Sequence, residues 1–284
     1  MIDPTVRISL ALDANKGAYA VLLGSGVSAA AGIPTGWQIV SDLVTKVARL
    51  EGADVSGDPI SWYKGRYGEE PDYSGLLNAI SSSPTERSLL LRSYFEPTDD
   101  ERRNGLKVPT AAHRTMAQLA LSRHVHLFLT TNLDRLLETA INDAGIVPQV
   151  LSTPDSIVGA VPFGQTRCTV VKLSGDYMDT RIKNTPEELE SYEPAVDSLL
   201  DKVMDEYGFI VSGWSAEWDA ALRNAFDRSS SKRYSMFWAS RNPPREYAAR
   251  LIEARGGEFV QIQGRDTFFT ASAKDWPAFR QLRP

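Results

Sequence analysis

The sequence predicts an α/β fold: a doubly wound, Rossmann-like parallel sheet of about six strands with a helical insertion. Two observations lead there. Six apolar runs, at 18–23, 124–130, 169–173, 209–212, 234–240 and 258–263, alternate with helical or loop stretches and end in polar or glycine residues. The first run breaks at Gly24-Ser25-Gly26 and passes into the small-residue stretch Ser28 to Ala31, the strand, turn and helix order of a dinucleotide-binding opening. The length of 284 residues fits a single domain over 1–284, with 53–108 as an insertion within it.

Taken in order, the chain opens with Val6, Ile8, Leu10 and Leu12, a short helix or extended arm against the sheet. Five apolar residues in the six positions 18–23 make a strand buried on both faces. At its exit Gly24 and Gly26 carry no Cβ to hold a ligand away, Ala29 takes the third position of G-x-G-x-x-G/A, and the N–H groups opening the Ser28 helix favour a phosphate. Gly32 ends that helix and Pro34 fixes the direction of the chain beyond it. Ile39, Val40, Leu43, Val44, Val47 and Leu50 then recur at three and four, the pattern of an amphipathic helix ending near Gly52.

A dehydrogenase would next show a second strand with a ribose-binding acid about 20 residues after the glycines. Residues 53–108 instead carry Trp62, Tyr63, Tyr67 and Tyr73, helical pieces at 76–80 and 88–95, and a charged DDERR run that reads as a solvated loop. Thr110 caps a helix over 111–121 in which His113 is a packed residue rather than a catalyst. His124 and His126 share a strand face, but no third metal ligand is near in sequence. Thr130-Thr131-Asn132-Leu133-Asp134 ends that strand, where open α/β sheets bind ligands; Asn132 or Asp134 could equally cap the next helix.

Residues 145–167 read as a Pro- and Gly-punctuated connection, and the third strand leads into Ser174-Gly175-Asp176. Thr185-Pro186-Glu187-Glu188 has the form of a helix start, and a longer helix follows over 194–207. The fourth strand ends at Gly213-Trp214-Ser215, with Asp219 placed to cap the next helix. Two further strands flank a helix over 245–255, with Arg241-Asn242 and Gly264-Arg265-Asp266 at their exits. The run WPAFRQLRP carries no stop signal, which suits an N-terminal module of a longer protein.

Composition narrows the function classes. Net charge −5 gives no general attraction to nucleic acid or anionic membrane. No run approaches the roughly 20 apolar residues of a membrane span, and the N-terminus lacks the regions of a signal peptide, so the expected location is intracellular, in the cytoplasm. The one cysteine, Cys168, sits in an apolar run and reads as buried; a four-cysteine zinc ribbon is excluded.

The run GSGVSAAAGIP resembles the first NAD-binding motif of the sirtuin family, and TTNLD resembles its T-Q-N-I-D motif with Thr131 in place of glutamine. GWS matches the family's G-T-S apart from Trp214, and LSGD lies where sirtuins carry His-Gly, so Ser174 stands in place of the general-base histidine. Thr35-Gly36-Trp37 replaces the usual D-F-R. With the zinc cysteines absent, the chain looks more like the bacterial sirtuin-like domains that hydrolyse NAD, often in anti-phage defence, than like the protein deacylases. The resemblance implies NAD as substrate or ligand, without a metal. It makes Asn132, Asp134 and Ser174 the catalytic candidates. Gly24, Ser25, Gly26, Ser28, Gly32, Pro34, Thr131, Asn132, Asp134, Gly213 and Ser215 become the candidate nucleotide contacts. Asn132 would hold the nicotinamide ribose, Asp134 would shape the nicotinamide pocket, and Asp176 is a substitute base. The alternative is a non-catalytic sensor of NAD or an ADP-ribose derivative, acting through a homo-oligomer, a partner protein or a C-terminal domain.

Overall fold

Apolar strands that are buried on both faces need helices on both sides, and the chain supplies them. The computed structural model describes residues 4–55, 57–81, 83–179 and 189–264. Helix α1 (Pro4–Ala14) precedes β1 (Tyr19–Leu23), a 3-10 turn at Ser28–Ala31 and α2 (Gly36–Leu50). Four helices follow, α3 (Pro59–Tyr67), α4 (Tyr73–Ile80), α5 (Pro84–Phe95) and α6 (Asp99–Arg103). Then come α7 (Ala111–Leu121), β2 (Leu127–Thr130), α8 (Leu136–Asp143), β3 (Gln149–Leu151), α9 (Pro154–Val158) and β4 (Thr169–Lys172). The last described part runs α10 (Pro194–Glu206), β5 (Gly208–Ser212), α11 (Ala220–Arg228), β6 (Met236–Ser240), α12 (Glu246–Ala254) and β7 (Glu258–Gln261).

The strands form one sheet in the order β3-β4-β2-β1-β5-β6-β7, and every neighbouring pair is parallel. Alternate residues of β1 face opposite ways: Val21 and Leu23 pack with α1, α7 and α8, while Ala20 and Leu22 pack with α10, α11 and α12. A third apolar cluster joins α2 to α5 with Leu133, Leu136 and Tyr177, so the helices between 53 and 108 rest on the chain just beyond β2 and β4.

Two details differ from expectation. The sheet has seven strands, because the 145–167 connection contains β3 and α9. A three-residue edge strand is too short to show periodicity; it is held by pairing with β4 and by Gln149, whose side-chain amide bonds both the carbonyl and the N–H of Val161. The DDERR run is a helix, not a loop: Thr98 Oγ1 accepts the Glu101 N–H at 3.2 Å while Glu101 Oε2 accepts the Thr98 N–H at 2.8 Å. That reciprocal cap starts a turn with no buried residue. The expected helix start at 185–188 lies outside the described residues.

Candidate functional site

Because β4, β2, β1 and β5 are consecutive in the sheet, the Ser174 turn, the Asn132 loop, the Gly24 turn and the Gly213 loop emerge side by side on its carboxyl edge. At strand spacings of about 4.8 Å this row spans roughly 14 Å. Backbone bonds continue the pairing past the strands, with Leu173 N donating to Thr130 O (2.8 Å), Thr131 N to Leu23 O (3.1 Å) and Gly24 N to Ser212 O (3.0 Å).

The first turn is shaped by the chain itself. A Cβ on Gly24 would lie 2.4 Å from Gly213 O and 2.5 Å from Trp214 Cα, and one on Gly213 would lie 2.8 Å from Gly24 O. In the structure the missing Cβ of Gly24 clears space for the loop after β5. The N–H groups of Gly26 and Val27 also have internal acceptors, Gly213 O at 3.2 Å and Gly24 O at 3.0 Å. Ser25 is exposed at the turn's tip, and Ser28 is buried beneath it. Gly32 ends the 3-10 turn with φ +75°, its face covered by Leu106, and Pro34 leads to the Thr35 cap of α2.

The Asn132 loop meets that turn directly. Asn132 Nδ2 donates to Ser28 Oγ at 3.1 Å across 104 positions of sequence, and the Asn132 N–H donates to Thr130 Oγ1 at 3.0 Å. Asn132 Oδ1 is buried with no hydrogen-bond partner among the described residues. Exchanging the amide's O and N would leave a donor unsatisfied instead, so either way one end of this amide awaits a partner. Asp134 takes the capping role, its Oδ1 accepting the Leu136 N–H at 3.0 Å. Thr131 is half-buried beside it.

Beyond β4, Ser174 is buried and Gly175 turns the chain with φ +94°. Asp176, the expected substitute base, is tied up. Its Oδ2 lies 2.8 Å from Arg135 Nε and 3.1 Å from Lys172 Nζ, and its Oδ1 accepts the Met178 N–H at 3.0 Å. Burial pushes this carboxyl up, but the Lys172 charge, the Met178 N–H and Arg135 together outweigh it and hold it below the ordinary carboxylate value. A carboxylate so stabilised is a poor proton acceptor.

After β5, Trp214 turns inward rather than across the edge. Its ring lies 5.5 Å from that of Trp238 and 5.9 Å from that of Phe226, and its Nε1 donates to Asp219 Oδ2 at 2.7 Å. Asp219 sits at the N-cap position of α11 but makes no side-chain cap, so the capping expectation is corrected. Burial pushes its carboxyl up; the bond from Trp214 and the charge of Arg223 pull the other way without cancelling it. Ser215 is exposed and accepts the Glu217 N–H at 3.3 Å, within its own loop. Ala216 holds φ +63°, and Arg223 steadies that strained turn by donating to the carbonyls of Ala216 (2.7 Å) and Glu217 (2.8 Å).

The histidines serve the scaffold. His113 Nδ1 accepts the Thr110 N–H at 3.2 Å as part of the cap of α7. His124 Nδ1 is 2.8 Å from Ser122 Oγ, and His126 Nε2 is 3.2 Å from Tyr207 OH. Among the described residues no three metal-ligating side chains gather, and no described helix is long and apolar enough to cross a membrane. Sequence reasoning missed Lys172, Arg135 and Glu138, which lie behind the Asn132 loop and the Ser174 turn. The only signal was a lysine in an otherwise apolar run.

With the geometry in place, comparison places the chain among known folds. Residues 126–260 match the family model of the SIR2-like domain. That span includes the Asn132, Ser174 and Gly213 loops and leaves out the Gly24 turn. Among solved structures, two mutant Sir2 homologues in complex with ADP-ribose superpose with a TM-score of 0.53 at 14% identity, over 100% of both chains. A Sir2 homologue in complex with NAD gives a TM-score of 0.50 at 15% identity, covering 95% of this chain and 94% of the other. These likenesses establish a sirtuin-like α/β fold. No curated protein sequence matches the chain.

Proposed function

We propose that the row of loops from Ser174 to Gly213 binds NAD and hydrolyses its nicotinamide glycosidic bond, yielding nicotinamide and ADP-ribose. The observation that carries this reading is the Asn132 amide, fixed at one end on Ser28 and left without a partner at the other in a buried position beside the Gly24 turn. An orphaned amide at the carboxyl edge of a parallel sheet suits a ribose hydroxyl or an ordered water.

Cleavage breaks the C1′–N bond, with its electron pair neutralising the pyridinium nitrogen. Water then adds to the oxocarbenium carbon and gives up one proton. In this reading Asn132 orients the ribose and the water. Ser25, Gly26 and Ser28 lie along the diphosphate, and Asp134 shapes the nicotinamide end through the loop it caps. Ser174 can donate or accept a hydrogen bond but cannot store the proton at neutral pH. With Asp176 locked in its ion pairs, turnover is slow or waits on an activating partner. That observation also favours a second reading, in which the same pocket senses NAD or ADP-ribose for a partner domain or a second copy of the chain. We place the protein in the cytoplasm, without structural zinc, in the manner of bacterial anti-phage proteins.

Calorimetry with NAD and ADP-ribose, followed by an assay of nicotinamide release, tests the proposal. We expect binding of both and slow release, with both reduced in Asn132→Ala. A folded protein that binds neither nucleotide at millimolar concentration refutes it, and binding without any release selects the sensor.

A further inference from the structure

Lys172 ends β4 between Val171, which packs under α10, and Leu173, yet its own side chain is 0% exposed. Its ammonium donates to Asp134 O at 2.6 Å and Leu133 O at 3.1 Å. It also lies 3.1 Å from both Asp176 Oδ2 and Glu138 Oε1, ion-pair distances to two buried carboxylates. Arg135, half-exposed at the rim, completes a cluster of two cations and two carboxylates. An ammonium has three protons, and here two of them go to backbone carbonyls of the loop that carries Asn132. The third side of the ammonium faces Asp176, two residues past Ser174.

From this geometry we infer that Lys172 is a positioning residue: it clamps the Asn132–Asp134 loop to the Ser174–Met178 turn, and so sets the part of the proposed site that would receive the nicotinamide ribose. The inference rests on the nucleotide reading above. Among the described residues, the two loops are otherwise joined beyond the strand ladder by one backbone bond, Tyr177 N to Leu133 O at 3.2 Å, and at the exposed rim by Arg135, which donates to Asp176 Oδ2 at 2.8 Å and to Met178 Sδ at 3.1 Å. Stability alone does not call for a charge here, because replacing a buried ionic cluster such as Lys172, Glu138 and Asp176 by apolar side chains is often neutral or stabilising. The gain lies in geometry, since the ammonium holds two carbonyls by hydrogen bonds and two carboxylates by ion pairs at once. By contrast, the Gly24 turn and the Gly213 loop are bound to each other through Gly24 N, Gly26 N and their acceptors, none of which touches Lys172. The clamp therefore acts directly on one half of a dinucleotide and reaches the other only through the Asn132–Ser28 hydrogen bond.

The test compares the wild-type protein with Lys172→Met and with Lys172→Met/Glu138→Gln, the second variant removing the carboxylate left uncompensated by the first. Each is titrated with NAD and with ADP, which lacks the second ribose. Losing the charge-assisted bonds should weaken NAD binding by roughly tenfold or more while ADP binding stays within about twofold. Hydrogen exchange on the unliganded protein should show faster amides at 131–136 and 173–178, with β5 unchanged. Equal loss of NAD and ADP binding, as general damage would give, overturns the inference. So does wild-type NAD affinity in a folded double variant. A wild-type protein that binds neither nucleotide removes the proposed function itself and the positioning role with it, and the exchange data then show separately whether the clamp exists.

Discussion

Replacing Gly24 by alanine distinguishes a glycine needed by the chain from one needed by a ligand. The added Cβ would meet Gly213 O at 2.4 Å and Trp214 Cα at 2.5 Å, both backbone atoms that cannot rotate away. Separating the two loops to accommodate it costs about 1–3 kcal/mol. The Gly26 N–H to Gly213 O bond is lost in the process, about 1 kcal/mol more. The stiffer unfolded chain offsets about 0.4–1 kcal/mol. The expected destabilisation is about 1–3.5 kcal/mol, a fall in Tm of roughly 2–6 °C for a chain of 284 residues. Thermal unfolding followed by circular dichroism measures it, with Gly164→Ala as the control, since a Cβ there meets nothing within 4 Å. If Gly24→Ala melts with the control yet no longer binds nucleotide, the packing argument is wrong and the glycine serves the ligand.

Ser174→His should raise nicotinamide release by about 10²-fold or more if a base is what the site lacks, and Asn132→Ala in that background should abolish the gain; a parent that is already fast, with Ser174→His neutral or harmful, refutes this. Asp176 has its carboxyl held below the ordinary 3.8, so the stability it contributes is present above that value and is lost as pH falls through the depressed one. Asp176→Asn should accordingly be less stable than wild type at pH 7, with the gap closing in acid below 3.8, and a gap independent of pH in denaturant titrations would contradict the assignment. Cys168 is buried, and burial followed by the nearby Glu138 charge pushes its thiol up to about 12, so iodoacetamide at pH 8 should label it only after unfolding.

Much of this architecture is legible in the sequence because its strands are buried on both faces and read as plain apolar runs. β1, β2, β4, β6 and β7 fall within the stretches that composition marks, β5 starts one residue earlier at Gly208, and the Thr110 cap and the Gly32 stop act through local chemistry. β3 is invisible because three residues at an edge carry no period. The Gly24 turn is visible as a motif, but the partner it makes room for sits in the loop after β5, far along the chain, and no local pattern names it. Lys172 is hidden for the same reason. A lysine at the end of an apolar strand reads as a side chain reaching water, and only the arrival of Glu138 and two carbonyls from another segment, beside its near neighbour Asp176, turns it inward. Trp214 shows the converse, a residue that looks obstructive in a ligand motif and is harmless because Trp238 and Phe226 provide its slot.

The order of the sheet also has a consequence for biosynthesis. β1 is made first yet lies at the centre, and its second neighbour, β5, is complete only at Ser212. The ribosome must add about 190 residues in between, which takes about 10–40 s at 5–20 residues per second. Until β2 is complete at Thr130 neither edge of Tyr19–Leu23 has its partner, and from then until Ser212 only one edge does, leaving an apolar strand with an open edge. Every nascent chain therefore passes through a stage in which an apolar central strand is at most half covered, so the yield of folded protein should rise with the speed at which translation delivers β5 or with a chaperone that shields β1 until it does.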